Sequence, residues 1–103
     1  GGAINQHPMN TPKIVLTDNG DAFIAYTDGS NGNLYMKKRQ SSGTIDADPT
    51  VLLDATDADG NFIGHYGFHV DGLLADGKIK FSVARLNAQN DRFADIIVVE
   101  VNP

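Results

Sequence analysis

The chain repeats one order of apolar runs and turns, and this repeat constrains its fold more than any other feature. Residues 13–39 carry three apolar runs, separated by Asp-Asn-Gly at 18–20 and by a Gly/Asn-rich turn at 28–32. Residues 67–101 carry the same order, again with an Asp-Gly turn after the first run. Short apolar runs bounded by Gly, Asn and Asp are typical of β-strands. The sequence therefore predicts an all-β fold made of two antiparallel β-meander modules.

The length of the chain is that of one domain. With 103 residues and 11.0 kDa, it can bury roughly 60 to 70% of its unfolded surface. We expect a single domain over residues 1–103, with an extended arm at 1–11, a first β module at 12–55 and a second at 62–103. A seven-stranded β-sandwich fits the same length and is the alternative architecture.

The register of the repeat follows from its turn glycines. Gly20 and Gly77 are 57 residues apart, and the same offset superimposes two sets of apolar residues that we expect to face inward. These sets are Ala22, Ile24 and Tyr26 in the first module and Ile79, Phe81 and Val83 in the second. The strand at 22–27 is apolar on both faces, which predicts that both are covered. The Asn19-Gly20 pair predicts a type I′ turn.

The first module resembles one blade of a sialidase-like β-propeller. The resemblance covers residues 12–38 and is fainter in 67–101. It consists of a strand, an Asp-x-Gly turn, a second strand ending in Tyr26, a polar loop and a third strand. The Asp-box of that family and its Trp are missing. The resemblance implies blade-like modules, and two blades cannot close a ring, because propellers need about four to eight. It therefore implies a homo-oligomer, for example about six blades from three chains.

The net charge and the composition limit the classes of partner that the chain can bind. The net charge of -5 and the pI of 4.8 argue against nucleic acid, since phosphate binding needs clustered cations. No apolar run approaches the roughly 20 residues of a membrane span, so we expect no membrane insertion. The absence of Cys excludes disulfides and thiolate metal sites. An extracellular or particle-surface location is favoured.

Polar and aromatic residues gather around one hairpin loop and one later strand. Aromatic faces beside Asp and Asn are suited to a sugar, because its C–H face stacks while its hydroxyls form hydrogen bonds. In the later strand, two His residues four apart would lie roughly 13 Å from each other, too far to share a metal ion. We therefore interpret that strand face as polar and ligand-facing, with an ordinary polar loop as the alternative for the hairpin. The candidate ligand-binding residues are Tyr26, Asp28, Asn31, Asn33, Tyr35, His65, Tyr66 and His69.

An Asp-rich loop resembles part of a calcium site. Asp57, Asp59 and Asn61 surround Gly60, which takes the place of the sharp turn in an EF-hand loop. Both terminal carboxylates of such a loop are missing, so the EF-hand interpretation fails. Two interpretations of the loop remain. It either binds a structural calcium ion at a less regular site, or its Asp residues only stabilise the turn. No other cofactor is expected.

No arrangement typical of a catalytic site emerges from the chain, since no carboxylate pair has a distinctive apolar setting and nothing resembles a nucleophile elbow. We therefore expect a non-enzymatic, self-associating β module that binds carbohydrate. One alternative is a structural or assembly protein of a larger particle, such as a viral fibre or capsid decoration. A second alternative is a fragment of a propeller glycosidase.

Overall fold

The computed structural model describes residues 12–89 and 92–103, except the side chains of residues 67–69, 93 and 94. The predicted arm at 1–11 lies outside these residues. The described chain contains β-strands and no helix, which confirms the all-β prediction. The strands are β1 (Lys13–Leu16), β2 (Ala22–Thr27), β3 (Leu34–Arg39), β4 (Thr50–Leu53), β5 (Gly64–Ala75), β6 (Lys78–Asn87) and β7 (Phe93–Val101).

The strands form two antiparallel sheets in which spatial order equals chain order. The first sheet has the order β1-β2-β3-β4 and the second the order β5-β6-β7. Ile14 pairs with Ile24, and Tyr26 pairs with Tyr35. In the second sheet, β5 runs on past Gly67, with a bulge between Gly67 and Asp71. Antiparallel sheets of neighbouring strands match the predicted meanders, and the sandwich and blade-like interpretations both accommodate them.

One core lies between the two sheets. Alternate residues of each strand point to the same face, so each sheet contributes the side chains of one face to this core. The first sheet supplies Val15, Phe23, Ala25, Leu34 and Met36, and the second supplies Ile79, Phe81 and Val83, all buried. β1 lies against β5, where Lys13 forms an ion pair with Asp71 at 3.3 Å.

The predicted inward set of the first module is wrong. In β2, the residues that face the second sheet are Phe23 and Ala25, whereas Ile24 and Tyr26 lie on the opposite face and are half-buried. Alternation reveals two faces but does not show which of them meets the other sheet, and β2 is apolar on both. The offset of 57 residues therefore relates the outer face of the first sheet to the core-facing side of the second.

The two repeat turns differ from each other. Gly20 has φ of +92°, but Asn19 has no positive φ, so the predicted type I′ turn is wrong there. Thr17 instead donates its N–H to Asp21 at 2.9 Å, closing a longer loop. In the second module, Asp76 and Gly77 have φ of +54° and +74°, and they join the paired residues Ala75 and Lys78. The two-residue type I′ geometry therefore occurs in the second turn.

Candidate functional site

The loop between β2 and β3 is held by its own polar groups. The Asp28 carboxylate accepts hydrogen bonds from the N–H and the hydroxyl of Ser30, at 2.8 and 2.7 Å. Gly32, with φ of +83°, donates its N–H to the Asp28 carbonyl at 2.7 Å. Such Asp side chains stabilise turns by replacing backbone partners. The Asp28 carboxylate therefore stabilises the conformation of its own loop.

Two tyrosine rings lie side by side where β2 and β3 meet this loop. Tyr26 and Tyr35 are direct cross-strand partners, and their ring centroids are 5.7 Å apart with the planes tilted by 32°. Both rings are half-buried. Partial burial, followed by the neighbouring Tyr35 and Asp28, raises the pKa of Tyr26 above its ordinary value. Tyr26 is therefore neutral at physiological pH.

The two candidate asparagines serve the structure of the loop. Asn31 and Asn33 both donate from their amides to the Tyr35 hydroxyl, at 2.8 and 3.3 Å. The Asn31 side-chain oxygen accepts the N–H of Asn33, and the Asn33 oxygen accepts the N–H of Ala55. Each amide therefore uses both its oxygen and its nitrogen within the protein. This leaves less hydrogen-bonding capacity for a sugar than the sequence indicates.

The structure brings the start of β5 to the same loop. The Tyr66 N–H donates to the Gly32 carbonyl at 2.9 Å, and a Cβ at Gly32 would lie 3.1 Å from the His65 Cα. The His65 ring contacts the Phe62 ring edge-on at 5.3 Å. These backbone contacts between distant parts of the chain join two groups of candidate residues that the sequence placed separately.

Tyr66 belongs to the core rather than to a ligand-facing surface. Its side chain is only 4% exposed, and its hydroxyl donates to the Asp54 carbonyl at 3.4 Å. Burial raises the pKa of Tyr66, and nearby Arg85 acts in the opposite direction. A ligand on the surface cannot reach this ring. The side chain of His69, the last candidate of this group, lies outside the described residues.

The Asp-rich loop uses its first carboxylate for turn formation. One Asp57 oxygen accepts the N–H groups of both Asp59 and Asn61, each at 2.9 Å. Within residues 12–89 and 92–103, no group of three or more His, Asp or Glu side chains is arranged to hold a metal ion. The structural calcium ion stays a prediction.

The most exposed apolar residues lie on the outward sides of the two sheets. We call the set on the first sheet the first outer face; its members are Ile14, Leu16, Ile24, Tyr26, Tyr35 and Val51. The second outer face, on the second sheet, includes the apolar Leu73, Ile96 and Val98 and the charged Lys78, Lys80 and Glu100. Sequence reasoning missed both surfaces. The available signal was that β2 is apolar on both faces.

Both faces are open to solvent in the described part of the chain. On the first outer face, Ile14 is 54% and Leu16 is 66% exposed. On the second, Val98 is 61% and Ile96 is 83% exposed. Within β2 itself, Ile24 and Tyr26 are half-buried on the outer face, so the predicted coverage of both sides of β2 is only partial. No helix among the described residues is long and apolar enough to cross a membrane.

Comparison of the chain with models of protein families, with curated proteins and with solved structures finds no match in any of the three.

Proposed function

We propose that this chain is a non-enzymatic β module that assembles with further copies of itself. The observation that carries this proposal is that each sheet buries one face in the core and leaves apolar residues exposed on the other. A monomer that stays soluble rarely exposes a contiguous apolar patch of more than a few hundred Å². Two such faces on one small chain favour a role in which they are covered by a partner.

The register of the first sheet makes its outer face continuous. Ile14 lies beside Ile24, and one row further Tyr26, Tyr35 and Val51 lie side by side across three strands. Direct cross-strand partners have Cβ atoms about 5 Å apart, so their side chains touch. The result is an apolar surface over β1 and β2 with the tyrosine pair at one end, bordered on β3 by Lys37 and Arg39. Flat aromatic and aliphatic surfaces are typical of the centre of protein interfaces.

The roles of the acidic residues support a non-enzymatic function. Asp28 and Asp57 stabilise their own turns, Asp71 pairs with Lys13, and Asp95 accepts two hydrogen bonds from the Arg85 guanidinium. A catalytic acid or base is typically set apart by burial or by a like charge that perturbs its pKa. These four carboxylates instead stabilise turns and ion pairs.

The native mass of the wild-type chain and of two variants tests the assembly. We expect sedimentation velocity to give a mass that is a multiple of 11.0 kDa and that falls on dilution. Ile14→Asp, at an exposed position of the first outer face, should give a monomer, because association would bury an unpaired carboxylate. Phe62→Asp is the control, since Phe62 is similarly exposed but lies in the loop before β5. A wild-type monomer at every concentration would contradict the proposal.

Carbohydrate binding is a second candidate, and one observation favours it. The neighbouring rings of Tyr26 and Tyr35 are half-exposed beside a polar loop, so a sugar face could stack on them. We expect Tyr26→Ala to abolish binding on a glycan array, whereas Tyr35→Phe keeps the ring and retains it. The rings belong to the first outer face, so a glycan and a second copy would compete for them. Unchanged glycan binding by the assembled wild-type protein would contradict this shared use.

A structural protein of a larger particle, the alternative function, would also have to self-assemble. The two differ in their partners, because a fibre or capsid decoration must also contact a different protein. An extracellular or particle-surface location stays a prediction.

A further inference from the structure

We infer that copies of this chain join head to tail, with the second outer face of one copy seated on the first outer face of the next. This inference rests on the proposed self-association and adds its geometry. The two sheets of a single chain already form an interface of this kind.

The internal interface joins non-equivalent faces of the two modules. The second sheet contacts the first through Ile79, Phe81 and Val83. At the offset of 57 residues that superimposes the turn glycines, their equivalents in the first module are Ala22, Ile24 and Tyr26. Ile24 and Tyr26 belong to the first outer face. In β1 the equivalent offset is 58, because the second turn is one residue shorter: Leu16 pairs with Ala22 as the core-packed Leu74 pairs with Ile79. The first outer face therefore corresponds to the surface with which the second sheet already docks.

Equivalent strands and equivalent turns of the two modules also lie together. β1 runs against β5, its counterpart in the repeat. The β1–β2 turn at residues 17–19 and the β5–β6 turn at Gly77 border the same open cavity of about 260 Å³, together with Leu74 and Pro103. The two sheets are thus stacked in the same direction. An interface between non-equivalent faces is heterologous, and each copy added leaves the same pair of faces open.

The second outer face has the composition of a reversible interface. At the same offset, the buried Phe23 of the first sheet corresponds to Lys80, and Ala25 corresponds to Ser82. The Glu100 carboxylate lies 3.5 Å from Lys80 and 3.7 Å from Lys78, so both cations are paired within the face. The exposed Leu73 lies beside Lys80, and the exposed Val98 and Ile96 follow Glu100 along the same face of β7. Interfaces that form and dissociate typically combine apolar contacts with such polar groups. The head-to-tail contact is therefore expected to be weaker than the contact between the two sheets of one chain.

Two variants, each altered on one face, distinguish head-to-tail contact from a symmetric pairing of identical faces. Ile14→Asp alters the first outer face, and Val98→Asp alters the second. Both positions are more than half exposed, so each thermal midpoint should stay within about 4 °C of the wild-type value. Each substitution should weaken self-association by about 100-fold or more, because it places an unpaired carboxylate in the contact. Each variant alone should therefore sediment as a monomer.

An equimolar mixture of the two variants is the decisive sample. The Ile14→Asp copy retains its second outer face, and the Val98→Asp copy retains its first. One intact contact can form between them, so the mixture should contain a heterodimer with twice the mass of one chain. The two altered faces both carry a new negative charge and repel each other, which prevents spurious rescue.

The possible outcomes distinguish failure of the head-to-tail geometry from failure of self-association itself. A wild-type monomer would overturn self-association itself. A wild-type oligomer whose mass is unchanged by Val98→Asp would overturn only the head-to-tail geometry and indicate pairing through the first outer face alone. A mixture that stays monomeric, although the wild type assembles, would also overturn it. A wild-type mass that reaches a fixed multiple indicates a closed ring, and one that grows with concentration indicates a filament.

Discussion

Adding one methyl group at Gly72 tests whether the two sheets pack face to face. Gly72 lies in β5 beside Phe81, and a Cβ at this position would lie 2.7 Å from the Phe81 Cδ1 and 2.8 Å from the Val15 Cγ2. Carbon atoms in proteins pack at about 3.5 to 4.0 Å, so the new methyl group overlaps both sheets by close to 1 Å. Phe81 belongs to the second sheet and Val15 to the first.

The expected loss of stability follows from two opposing effects. Overpacking a core costs about 1 to 3 kcal/mol, and replacing Gly by Ala returns about 0.4 to 1 kcal/mol through the unfolded state. Because the methyl group overlaps atoms of both sheets by close to 1 Å, its cost should lie in the upper half of that range, at about 2 to 3 kcal/mol, so the net free energy of unfolding of Gly72→Ala should fall by about 1 to 2.6 kcal/mol. For a domain of this size, this lowers the thermal midpoint by about 4 to 21 °C. Calorimetry of the wild type and the variant measures it directly.

A double-mutant cycle shows whether the loss arises between the sheets. Val15→Ala alone should cost roughly 1.6 kcal/mol, from two buried methyl groups at about 0.8 kcal/mol each. In the double variant, the vacated space accepts the new methyl group, so the two losses should fall short of additivity by about 0.5 kcal/mol or more. Gly72→Ala combined with Val51→Ala, on the opposite side of the first sheet, should be additive. A neutral Gly72→Ala, or strict additivity with Val15→Ala, would refute the packing of β1 on β5.

Two further substitutions test the local geometry. Gly64→Ala should lower the free energy of unfolding in urea by more than about 2 kcal/mol, because φ is +126° and the Cβ would overlap the Leu86 carbonyl oxygen. Gly60→Ala is its control, with φ of +85° and no neighbour within 4 Å; an equal loss there would show that the overlap is irrelevant. The Ser41 N–H donates to the Asp21 carboxylate and holds the pKa of this group below its ordinary value. The resulting stabilisation is present above about pH 4 and is lost as the pH falls through the lowered pKa. Asp21→Asn should flatten the acid limb of the stability curve, and an unchanged limb would contradict this role.

The strands were largely predictable because local signals define them. The bounds of β2 agree with the predicted strand at 22–27, since turn residues flank this run. The length of β5 is harder to predict, because glycines such as Gly64 and Gly67 weaken a strand, whereas a bulge lets this strand continue to Ala75. A bulge depends on the partner strand, so one strand read in isolation does not reveal it.

The sequence identified the hairpin loop of the candidate site, but not which side chains around it are exposed. The sequence grouped Tyr26 with Tyr35 correctly, because both flank one hairpin. It could not place Tyr66 in the core, since burial of that ring depends on packing between segments far apart in the chain. Nor could it identify the outer faces, because an apolar residue in an alternating strand can face either a core or solvent. Which of the two applies is decided only when the sheets stack.

Spatial order equals chain order in both sheets, and this has a consequence for folding kinetics. Every strand pairs with the strand that precedes or follows it, so each ladder closes a short loop and loses little chain entropy before its hydrogen bonds form. The contacts of β1 and β2 with β5, by contrast, join distant parts of the chain. Hairpin formation takes microseconds, whereas docking two sheets requires both to be present. The slow step should therefore be the meeting of two preformed sheets, and substitutions at Val15 or Gly72 should change the folding rate more than substitutions within a hairpin.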